Sequence, residues 1–349
     1  MKFNLASSYT VDSADYGAEG IRIAILAQSG HGKSYLAARL IEDALEQKAQ
    51  AIILEPIAEW YTLKAKYSNV VVVGGEYGDL PLEPDFAGEY VKAALGKGLT
   101  LVVNVSDLES AWEQRKFAAD FLWNLYRLEQ KHRRVVFLVL EEADFWAPQM
   151  WDRESKPSLS RIALIAKHGR KIGIFPILIS QRPSDLHKSP LSQCNLIFFG
   201  KFTSPADLDP RQGVMWLAKK LHIPISEKDV ASLQVAEWVA WDKFGVHRFK
   251  AGRRLCPHGA DTPLIKPVEF TLEASTTLTD LRKSIEQVLA EKRKEKSMVE
   301  KLQSENERLK TQLAELQRRL EIREAVADVL GGAKAGSQAG LEMKLETLE

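Results

Sequence analysis

Between an apolar run at 21–26 and a helical pattern at 35–47, the chain reads Ala27-Gln28-Ser29-Gly30-His31-Gly32-Lys33-Ser34. The glycines at 30 and 32 let backbone N–H groups turn inward around an anion, because no Cβ obstructs the approach. The strand–loop–helix setting distinguishes a phosphate-binding loop from a chance match, and the helix N-terminus adds partial positive charge. The stretch therefore predicts a nucleoside triphosphate site.

The loop and the residue that follows it supply the predicted nucleotide contacts. In such a loop the lysine, Lys33, reaches the β- and γ-phosphates, and the hydroxyl of Ser34 binds Mg²⁺. One departure is Ala27, which stands where these loops begin with glycine. The alternative, an ordinary turn between a strand and a helix, stays open here. The residues expected to bind the nucleotide are Ser29, Gly30, His31, Gly32, Lys33, Ser34 and Tyr35.

The composition indicates a large core and no global attraction to nucleic acid. The chain has 349 residues, of which 45% are hydrophobic and 27% charged, and its formal net charge is +1. Nucleic-acid binding would therefore need a local basic patch. The 2 cysteines cannot form a disulfide framework and suit a reducing compartment. Because the first residues lack the apolar core of a signal peptide, we expect a cytoplasmic protein without a membrane segment.

Apolar runs alternate with helical patterns through the first 270 residues. Short β-branched runs separated by helices are typical of a mostly parallel sheet with helices on both faces, so the predicted fold class is α/β. Pro176 lies inside one of these runs and predicts a bulge or a late strand start there. The runs lie at 21–26, 51–54, 70–73, 101–105, 135–140, 174–180 and 196–199.

The composition changes sharply near residue 270. Residues 1–270 hold every Phe, Tyr, Trp, Pro, His and Cys of the chain, whereas residues 271–349 hold none. We therefore predict three parts: a P-loop domain at 1–270, a coiled coil at 271–330 and a flexible tail at 331–349.

Residues 278–320 follow a heptad pattern with an apolar seam. Asn306 occupies an a position between leucines at d, which favours a parallel dimer at some cost in stability. Glu305 at g would face Lys310 at e′ of a second copy, and this pair is attractive. A single solvated helix is the alternative. The a positions are Leu278, Ile285, Lys292, Val299, Asn306, Leu313 and Leu320, and the d positions are Leu281, Val288, Glu295, Leu302, Leu309 and Leu316.

The apolar run at 135–140 ends in two carboxylates, Glu141 and Glu142. Carboxylates at a strand end near a phosphate-binding loop organise Mg²⁺ and water, so we assign Glu141 to the metal and Glu142 to the attacking water. The alternative is that these acids cap the next helix. Gln181, at the end of the next run, is expected to sense the γ-phosphate or to hold the lytic water.

These motifs together resemble those of the HerA/FtsK superfamily of ring-forming, DNA-pumping ATPases, and HerA-like proteins in particular. The resemblance covers about residues 20–205 and is most specific at 161–195. Besides the loop at 28–34, the segments that carry it are Glu55-Pro56-Ile57-Ala58-Glu59-Trp60, Leu140-Glu141-Glu142-Ala143-Asp144, Gly169-Arg170-Lys171-Ile172-Gly173, Ser180-Gln181-Arg182-Pro183-Ser184 and Leu191-Ser192-Gln193-Cys194-Asn195.

The resemblance implies a RecA-like P-loop fold with ATP and Mg²⁺ as cofactors. It makes Glu142 the catalytic carboxylate and Gln181 the polar sensor, beside Lys33 and Ser34 on phosphate and Mg²⁺. It makes Arg170 an arginine finger that acts in trans, which implies a homo-oligomeric ring, a hexamer in this family, with active sites between subunits. Glu141 stands where the family has Asp, and the extra methylene predicts slow hydrolysis.

The predicted function is therefore an ATP-hydrolysing ring motor that translocates double-stranded DNA. The coiled coil would dimerise protomers or recruit a protein partner. The main alternative is an ATP-gated scaffold with little hydrolysis, because Glu141 departs from the family and the coiled coil is not a general family feature. A small-molecule P-loop kinase is a further alternative, and it would need a lid and an acceptor pocket.

Overall fold

The structure is a computed structural model that describes residues 1–257, 287, 290, 291, 293, 294, 297–299 and 301–317. The chain separates into two units, Met1–Glu286 and Gln287–Glu349. The strands of the first unit are β1 (Lys2–Ala6), β2 (Tyr9–Asp12), β3 (Ile23–Leu26), β4 (Gln50–Glu55), β5 (Val70–Val73), β6 (Thr100–Asn104), β7 (Val136–Leu140), β8 (Ile174–Ser180), β9 (Leu196–Phe199), β10 (Glu237–Asp242) and β11 (Gly245–Lys250).

Helices connect these strands. Within the described residues, no helix combines the length and the apolar character needed to cross a membrane. The α-helices are α1 (Lys33–Glu46), α2 (Ala87–Lys97), α3 (Ala111–His132), α4 (Ala143–Trp146), α5 (Lys156–His168), α6 (Lys188–Leu191), α7 (Pro205–Leu208), α8 (Val214–Leu221) and α9 (Glu227–Ala231), and 3-10 helices lie at Ser13–Glu19, Tyr61–Ala65, Pro84–Phe86 and Gly169–Ile172.

The main sheet has the strand order β11-β10-β9-β3-β8-β7-β4-β6-β5. The strands from β9 to β5 in this order are all parallel, and they coincide with the runs that the sequence predicted. Every residue of β4 is buried, as expected for a strand covered by helices on both faces. Each fully buried Val, Leu or Ile contributes about 1.5–3 kcal/mol. The predicted α/β class, with helices on both faces, is confirmed.

The expectation of a bulge or a late strand start at Pro176 is wrong. β8 runs through Ile174–Ser180, and its register on β7 advances one residue at a time, with Pro176 opposite Leu138. Pairing between β8 and β3 begins only at Ile177. Because the proline precedes this contact, pairing with β3 does not depend on the N–H that proline lacks.

Within its described residues, the first unit also contains two hairpins that the sequence pattern did not predict. β10 pairs antiparallel with both β9 and β11, and it extends the parallel sheet by a hairpin. β1 and β2 form a separate two-stranded sheet. The hydroxyl of Tyr9 donates to Asp242 Oδ2 at 2.7 Å, and its ring stacks on Phe249 with centroids 4.7 Å apart. These contacts join the amino-terminal hairpin to the end of the main sheet.

Residues 254–256 are tied to α1 by a buried carboxylate. Glu42 is fully buried and accepts hydrogen bonds from the backbone N–H groups of Leu255 and Cys256, at 2.7 and 2.9 Å. Arg254 Nε donates to Glu42 Oε1 at 3.3 Å, and the N–H of Arg254 donates to Tyr35 Oη at 2.8 Å. The end of the first unit's described chain therefore lies against the helix that follows the phosphate-binding loop.

The second unit is helical over residues 301–317. Its predicted a and d side chains Val299, Leu302, Leu309, Leu313 and Leu316 are 51% to 62% exposed in the single chain. The apolar seam is therefore uncovered. The predicted boundary at 270, the coiled-coil residues outside the described ranges and the tail at 331–349 lie outside the part of the chain that the structure describes.

Candidate functional site

The predicted phosphate-binding loop joins β3 to α1. β3 ends at Leu26 and α1 begins at Lys33, so the predicted strand–loop–helix arrangement is confirmed. Gly30 and Gly32 have φ of 74° and 100°, in the left-handed region that residues with a Cβ rarely adopt. The loop therefore requires glycine at these two positions, as the sequence indicated.

Neighbouring strands hold the loop in place. The N–H of Gln28 donates to the carbonyl of Lys201 at 3.0 Å, just after β9. His31 Nε2 lies 2.7 Å from the carbonyl oxygen of Glu237 in β10, and the His31 ring meets Trp238 edge to face. Burial lowers the pKa of His31, so the ring is neutral and its Nε2–H donates to that carbonyl. His31 thus binds the loop to β10 rather than acting as a cation.

Gly200 permits the close approach of the loop to β9. A Cβ at this position would lie 2.2 Å from His31 Cδ2 and 2.5 Å from Ala27 Cβ. Ala27 is fully buried. The methyl group of Ala27, which departs from the usual glycine, is therefore accommodated because residue 200 has no side chain.

A cavity of about 530 Å³ opens above the loop. It brings together Lys33 and Ser34 with Glu142 and Gln181, which the sequence had placed on separate strand ends. Glu59 faces the same cavity and was not predicted there. Its lining residues are Ser29, Gly30, His31, Gly32, Lys33, Ser34, Tyr35, Glu59, Glu142, Gln181, Val235, Ala236, Trp238 and Ala251.

Glu141 lies directly behind Ser34. The Ser34 hydroxyl donates to Glu141 Oε1 at 3.0 Å, and Trp60 Nε1 donates to Glu141 Oε2 at 3.0 Å. Burial, with the charge of Glu59 next in importance, raises the pKa of Glu141 to about 8. Glu141 forms no ion pair with a residue that the structure describes, and a buried carboxylate of this kind beside a serine hydroxyl suits a divalent cation, which would favour its ionised form. The pair fits Mg²⁺, which takes one or two side-chain oxygens together with phosphates and waters.

Glu142 stands at the entrance to α4 in a constrained backbone conformation. Its φ of 50° places it in the left-handed region, which costs a residue with a Cβ about 1–2 kcal/mol. Its Oε2 is buried and has no hydrogen-bond partner among the described residues. Burial and the nearby charge of Asp144 raise the pKa of Glu142. A strained, unsatisfied carboxyl group that lines a cavity is typical of a catalytic position.

Asp144 has a structural role beside the cavity. The Ser180 hydroxyl donates to Asp144 Oδ1 at 2.5 Å, and the N–H of Arg182 donates to the same hydroxyl oxygen at 3.0 Å. These bonds connect the end of β8 to α4. Because Gln181 lies between Ser180 and Arg182, they also fix the backbone on both sides of the predicted sensor.

A second buried carboxylate positions the segment after β4. Glu55 Oε2 accepts the N–H groups of Glu59 and Trp60 at 2.8 and 3.2 Å. Burial raises the pKa of Glu55 well above its usual value. Trp60 in turn donates to Glu141, so Glu55 positions Glu141 through this segment. Residues 55–60 carry part of the family resemblance, but no local pattern marks any of them as a site residue, because the contact of Trp60 is with Glu141, far away in the sequence.

Arg170 lies away from the cavity of its own chain. It belongs to the 3-10 helix at Gly169–Ile172, before β8 begins, whereas the cavity lies at the opposite ends of the strands. Its Nη1 donates to the carbonyl of Ala18 at 2.8 Å. This placement excludes an action on its own cavity in this arrangement, and action on a neighbouring subunit stays a prediction.

Residues 21–144 match a family model described as "Helicase HerA, central domain". The chain is 30% identical over 174 residues to a probable DNA double-strand break repair helicase HerA of Methanocaldococcus jannaschii, which covers 49% of this chain and 32% of that protein. It is 35% identical over 74 residues to a DNA double-strand break repair helicase HerA of Pyrococcus furiosus, covering 21% of this chain and 13% of that protein. The chain thus spans about a third or less of these relatives.

A solved structure shares the fold. VirB4 of Thermoanaerobacter pseudethanolicus has a TM-score of 0.51 to this chain at 15% sequence identity, covering 76% of this chain and 97% of that one. At this identity the similarity concerns the fold alone.

Proposed function

Because the resemblance to HerA/FtsK-type P-loop ATPases is confirmed over residues 21–144, we propose that this chain binds and hydrolyses ATP as a subunit of a ring that moves double-stranded DNA. The observation that carries the proposal is the convergence of Lys33, Ser34, Glu142 and Gln181 on one cavity. A loop for phosphates, a carboxylate for water and a polar sensor are the parts that phosphoryl transfer to water requires.

The residues of the cavity divide the chemistry between them. The loop N–H groups and Lys33 bind the phosphates, and Glu142 orients the attacking water towards the γ-phosphate while its raised pKa suits proton acceptance. Gln181 contacts the γ-phosphate or the water. Ser34 and Glu141 would hold Mg²⁺, which neutralises charge on the phosphates when bound.

The cavity lacks the positive charge that the reaction needs. Lys33 is the one Lys or Arg among its lining residues, whereas Glu59 and Glu142 add carboxylates. An arginine from a neighbouring subunit would offset this deficit, and Arg170 is our candidate. This arrangement makes each active site the product of two copies of the chain.

We further propose that the predicted coiled coil at 271–330 pairs with a second copy in parallel. The exposed apolar seam supports this pairing, because a second helix would cover it. Asn306 at a and the Glu305–Lys310′ pair both favour a parallel dimer. Three such dimers around a ring would reconcile twofold pairing with a hexamer.

The test is steady-state ATP hydrolysis with and without long duplex DNA. Glu142→Gln should lower turnover by about 10²–10⁴-fold, and Arg170→Ala by about 10³-fold or more. Lys171→Ala, which removes a neighbouring exposed cation, is the matched control and should retain turnover.

Mixing the two inactive variants tests whether sites lie between subunits. Where an Arg170→Ala subunit supplies the cavity and a Glu142→Gln subunit supplies the arginine, the site between them is complete, so the mixture should regain part of the wild-type turnover. Mixtures that stay inactive, although they form mixed rings, would refute action in trans.

The second candidate is an ATP-gated scaffold. Glu141 motivates it, because its side chain beside Ser34 is one methylene longer than the Asp of the HerA/FtsK superfamily, and a ligand shifted from the octahedral geometry that Mg²⁺ demands would slow hydrolysis without preventing ATP binding. Tight ATP binding with negligible turnover, and oligomerisation that depends on nucleotide, would favour the scaffold. Turnover stimulated by DNA would exclude it.

A further inference from the structure

The cavity above the phosphate-binding loop extends to both sides of β3. On one side are β8 and β7, whose ends bear Gln181 and Glu142, and on the other side are β9 and β10. Because β10 runs antiparallel to β9, the chain just before β10 lies at the edge of the sheet where β3 and β9 end. The residues that line the cavity there, which we call the apolar end, are Tyr35, Val235, Ala236, Trp238 and Ala251.

The two sides of the cavity differ in chemical character. Glu59, Glu142 and Gln181 line the side of β8 and β7. In the proposed function Glu142 and Gln181 face the γ-phosphate and the attacking water, so the sugar and the base extend from the loop towards the apolar end. The faces of a base are flat and apolar, and ligand pockets are lined mostly by apolar and aromatic side chains. The apolar end therefore matches a base better than it matches a phosphate group.

Charged residues next to the apolar end do not line it. Glu237 Oε2 and Arg248 Nη2 form an ion pair at 3.5 Å, and Arg254 pairs with the buried carboxylate of α1. Lys201, which follows β9, does not line the cavity either. The charged residues that flank Val235, Ala236 and Ala251 in the sequence, and that are absent from the cavity lining, are Glu237, Arg248, Lys250, Arg253 and Arg254.

The backbone of the apolar end is bound to the phosphate-binding loop. The N–H of Ala236 donates to the carbonyl of His31 at 3.3 Å, and the N–H of Ala251 donates to the carbonyl of Ala236 at 2.8 Å. Ala236 has a φ of 65°, in the left-handed region that a residue with a Cβ rarely adopts. Residues held in such conformations beside a cavity are typical of ligand-binding sites. The loop and the apolar end therefore form one continuous surface.

Two larger side chains lie at the apolar end. Tyr35 directly follows Ser34, and its hydroxyl accepts the N–H of Arg254 at 2.8 Å, while the Arg254 guanidinium lies 5.7 Å from the Tyr35 ring centroid. Val235 is 66% exposed although it lines the cavity. Because removing an apolar side chain from water is favourable, a flat ligand that covers Val235 gains affinity.

From these observations we infer that the apolar end binds the base of the nucleotide. The base packs against Val235, Ala236 and Ala251, and Tyr35 adjoins it from α1. This assignment rests on the proposed function and extends it, because the chain that follows β11 becomes part of the nucleotide site. Since Ala251 is bonded to Ala236, a bound base should also stabilise the segment 251–256.

The test compares the affinities of two ligands for the full chain in the presence of Mg²⁺. Ribose 5-diphosphate has the phosphates and the sugar of ADP but lacks the base, so the wild type should bind ADP more tightly. Val235→Ser should weaken ADP binding by about 10-fold, because a lost apolar contact in a ligand pocket costs about that factor or more. It should leave the affinity for ribose 5-diphosphate unchanged. Ala251→Leu, which adds bulk where the base packs, should also weaken ADP binding selectively.

Val246→Ser is the matched control. Val246 lies in β11, is 37% exposed and does not line the cavity, so this variant makes the same chemical change outside the apolar end. It should bind both ligands like the wild type in isothermal titration calorimetry. Hydrogen exchange gives a second readout, because ADP should slow exchange at residues 251–256 more than ribose 5-diphosphate does.

The outcomes separate this inference from the proposed function. If the wild type binds ADP no more tightly than ribose 5-diphosphate, the base has no site of its own and the inference is overturned. If Val235→Ser keeps its fold and weakens both ligands equally, or neither, the base does not bind at the apolar end, while the nucleotide site itself stands. If the wild type binds neither ligand, the proposed function fails as well.

Discussion

Gly200→Ala tests how closely the phosphate-binding loop must approach the sheet. The added methyl group would lie 2.2 Å from His31 Cδ2 and 2.5 Å from Ala27 Cβ. Carbon atoms in ordinary contact are about 3.5–4.0 Å apart, so the loop and β9 must separate by roughly 1 Å or more. Both neighbours are buried, and His31 is bonded to Glu237, so neither can turn away into solvent.

The expected effect falls on stability and on nucleotide affinity. Overpacking of a buried contact costs about 1–3 kcal/mol of unfolding free energy. A displacement of about 1 Å in residues that position a ligand can cost about 100-fold, so we expect ATP affinity to fall by about 10- to 100-fold. The double variant Ala27→Gly/Gly200→Ala removes one of the two close contacts and should recover part of the loss.

Urea denaturation and titration with a fluorescent ATP analogue measure both effects. Gly96→Ala is the matched control, because it makes the same chemical change inside α2, where a Cβ meets nothing within 4 Å. It should raise stability by up to about 1 kcal/mol and leave ATP binding unchanged. If Gly200→Ala binds the analogue as tightly as the wild type, then loop position does not depend on this contact and the reasoning is refuted.

Three further predictions concern other parts of the chain. Glu42→Ala should lower the unfolding free energy by about 3–5 kcal/mol, because Arg254 is left buried without its carboxylate. Glu46→Ala, which removes an exposed ion pair with Lys66, should cost far less, and equal losses in urea denaturation would contradict this account. Without nucleotide and Mg²⁺, the folded chain binds the Glu141 proton more tightly than the unfolded chain, so the unfolding free energy should fall as pH rises from the usual glutamate pKa of 4.5 to the raised pKa of about 8. Glu141→Gln should flatten that fall between pH 5 and 9. A variant whose pH profile is identical to that of the wild type would show that Glu141 does not titrate in this range. Leu309→Asp at a d position should abolish dimerisation of the carboxyl-terminal helix, while Thr311→Asp at an outer position should not. Equal masses of the two variants by light scattering would rule out the proposed coiled coil.

The local signals in this sequence were sufficient for the parallel sheet and for the phosphate-binding loop. The strands from β9 to β5 are apolar on both faces, so short runs of Val, Ile and Leu mark them directly. The loop requires glycine at 30 and 32 because their φ values are positive. Glu142 and Gln181 could be placed because parallel strands deliver their ends to one edge of the sheet.

What the sequence did not predict depends on contacts between distant residues. β10 has only four apolar residues, Trp238–Trp241, between Glu237 and Asp242, and its antiparallel place in the sheet appears only through pairing with β9, as of Trp241 with Ile197. Glu55 acts through Trp60 on Glu141, 81 residues away from that tryptophan. Gly200 matters because of two atoms on the loop near residue 30. None of these partners can be found from spacing or periodicity within a window of the chain.

The bond between His31 and Glu237 also sets the order of events during synthesis. The two residues are separated by 206 positions, so the ribosome must add β10 long after it has made the loop. At about 5–20 residues per second this delay is about 10–40 s. The nascent loop therefore lacks its anchor for most of translation, and the chain should become able to hold nucleotide only when its last strands emerge.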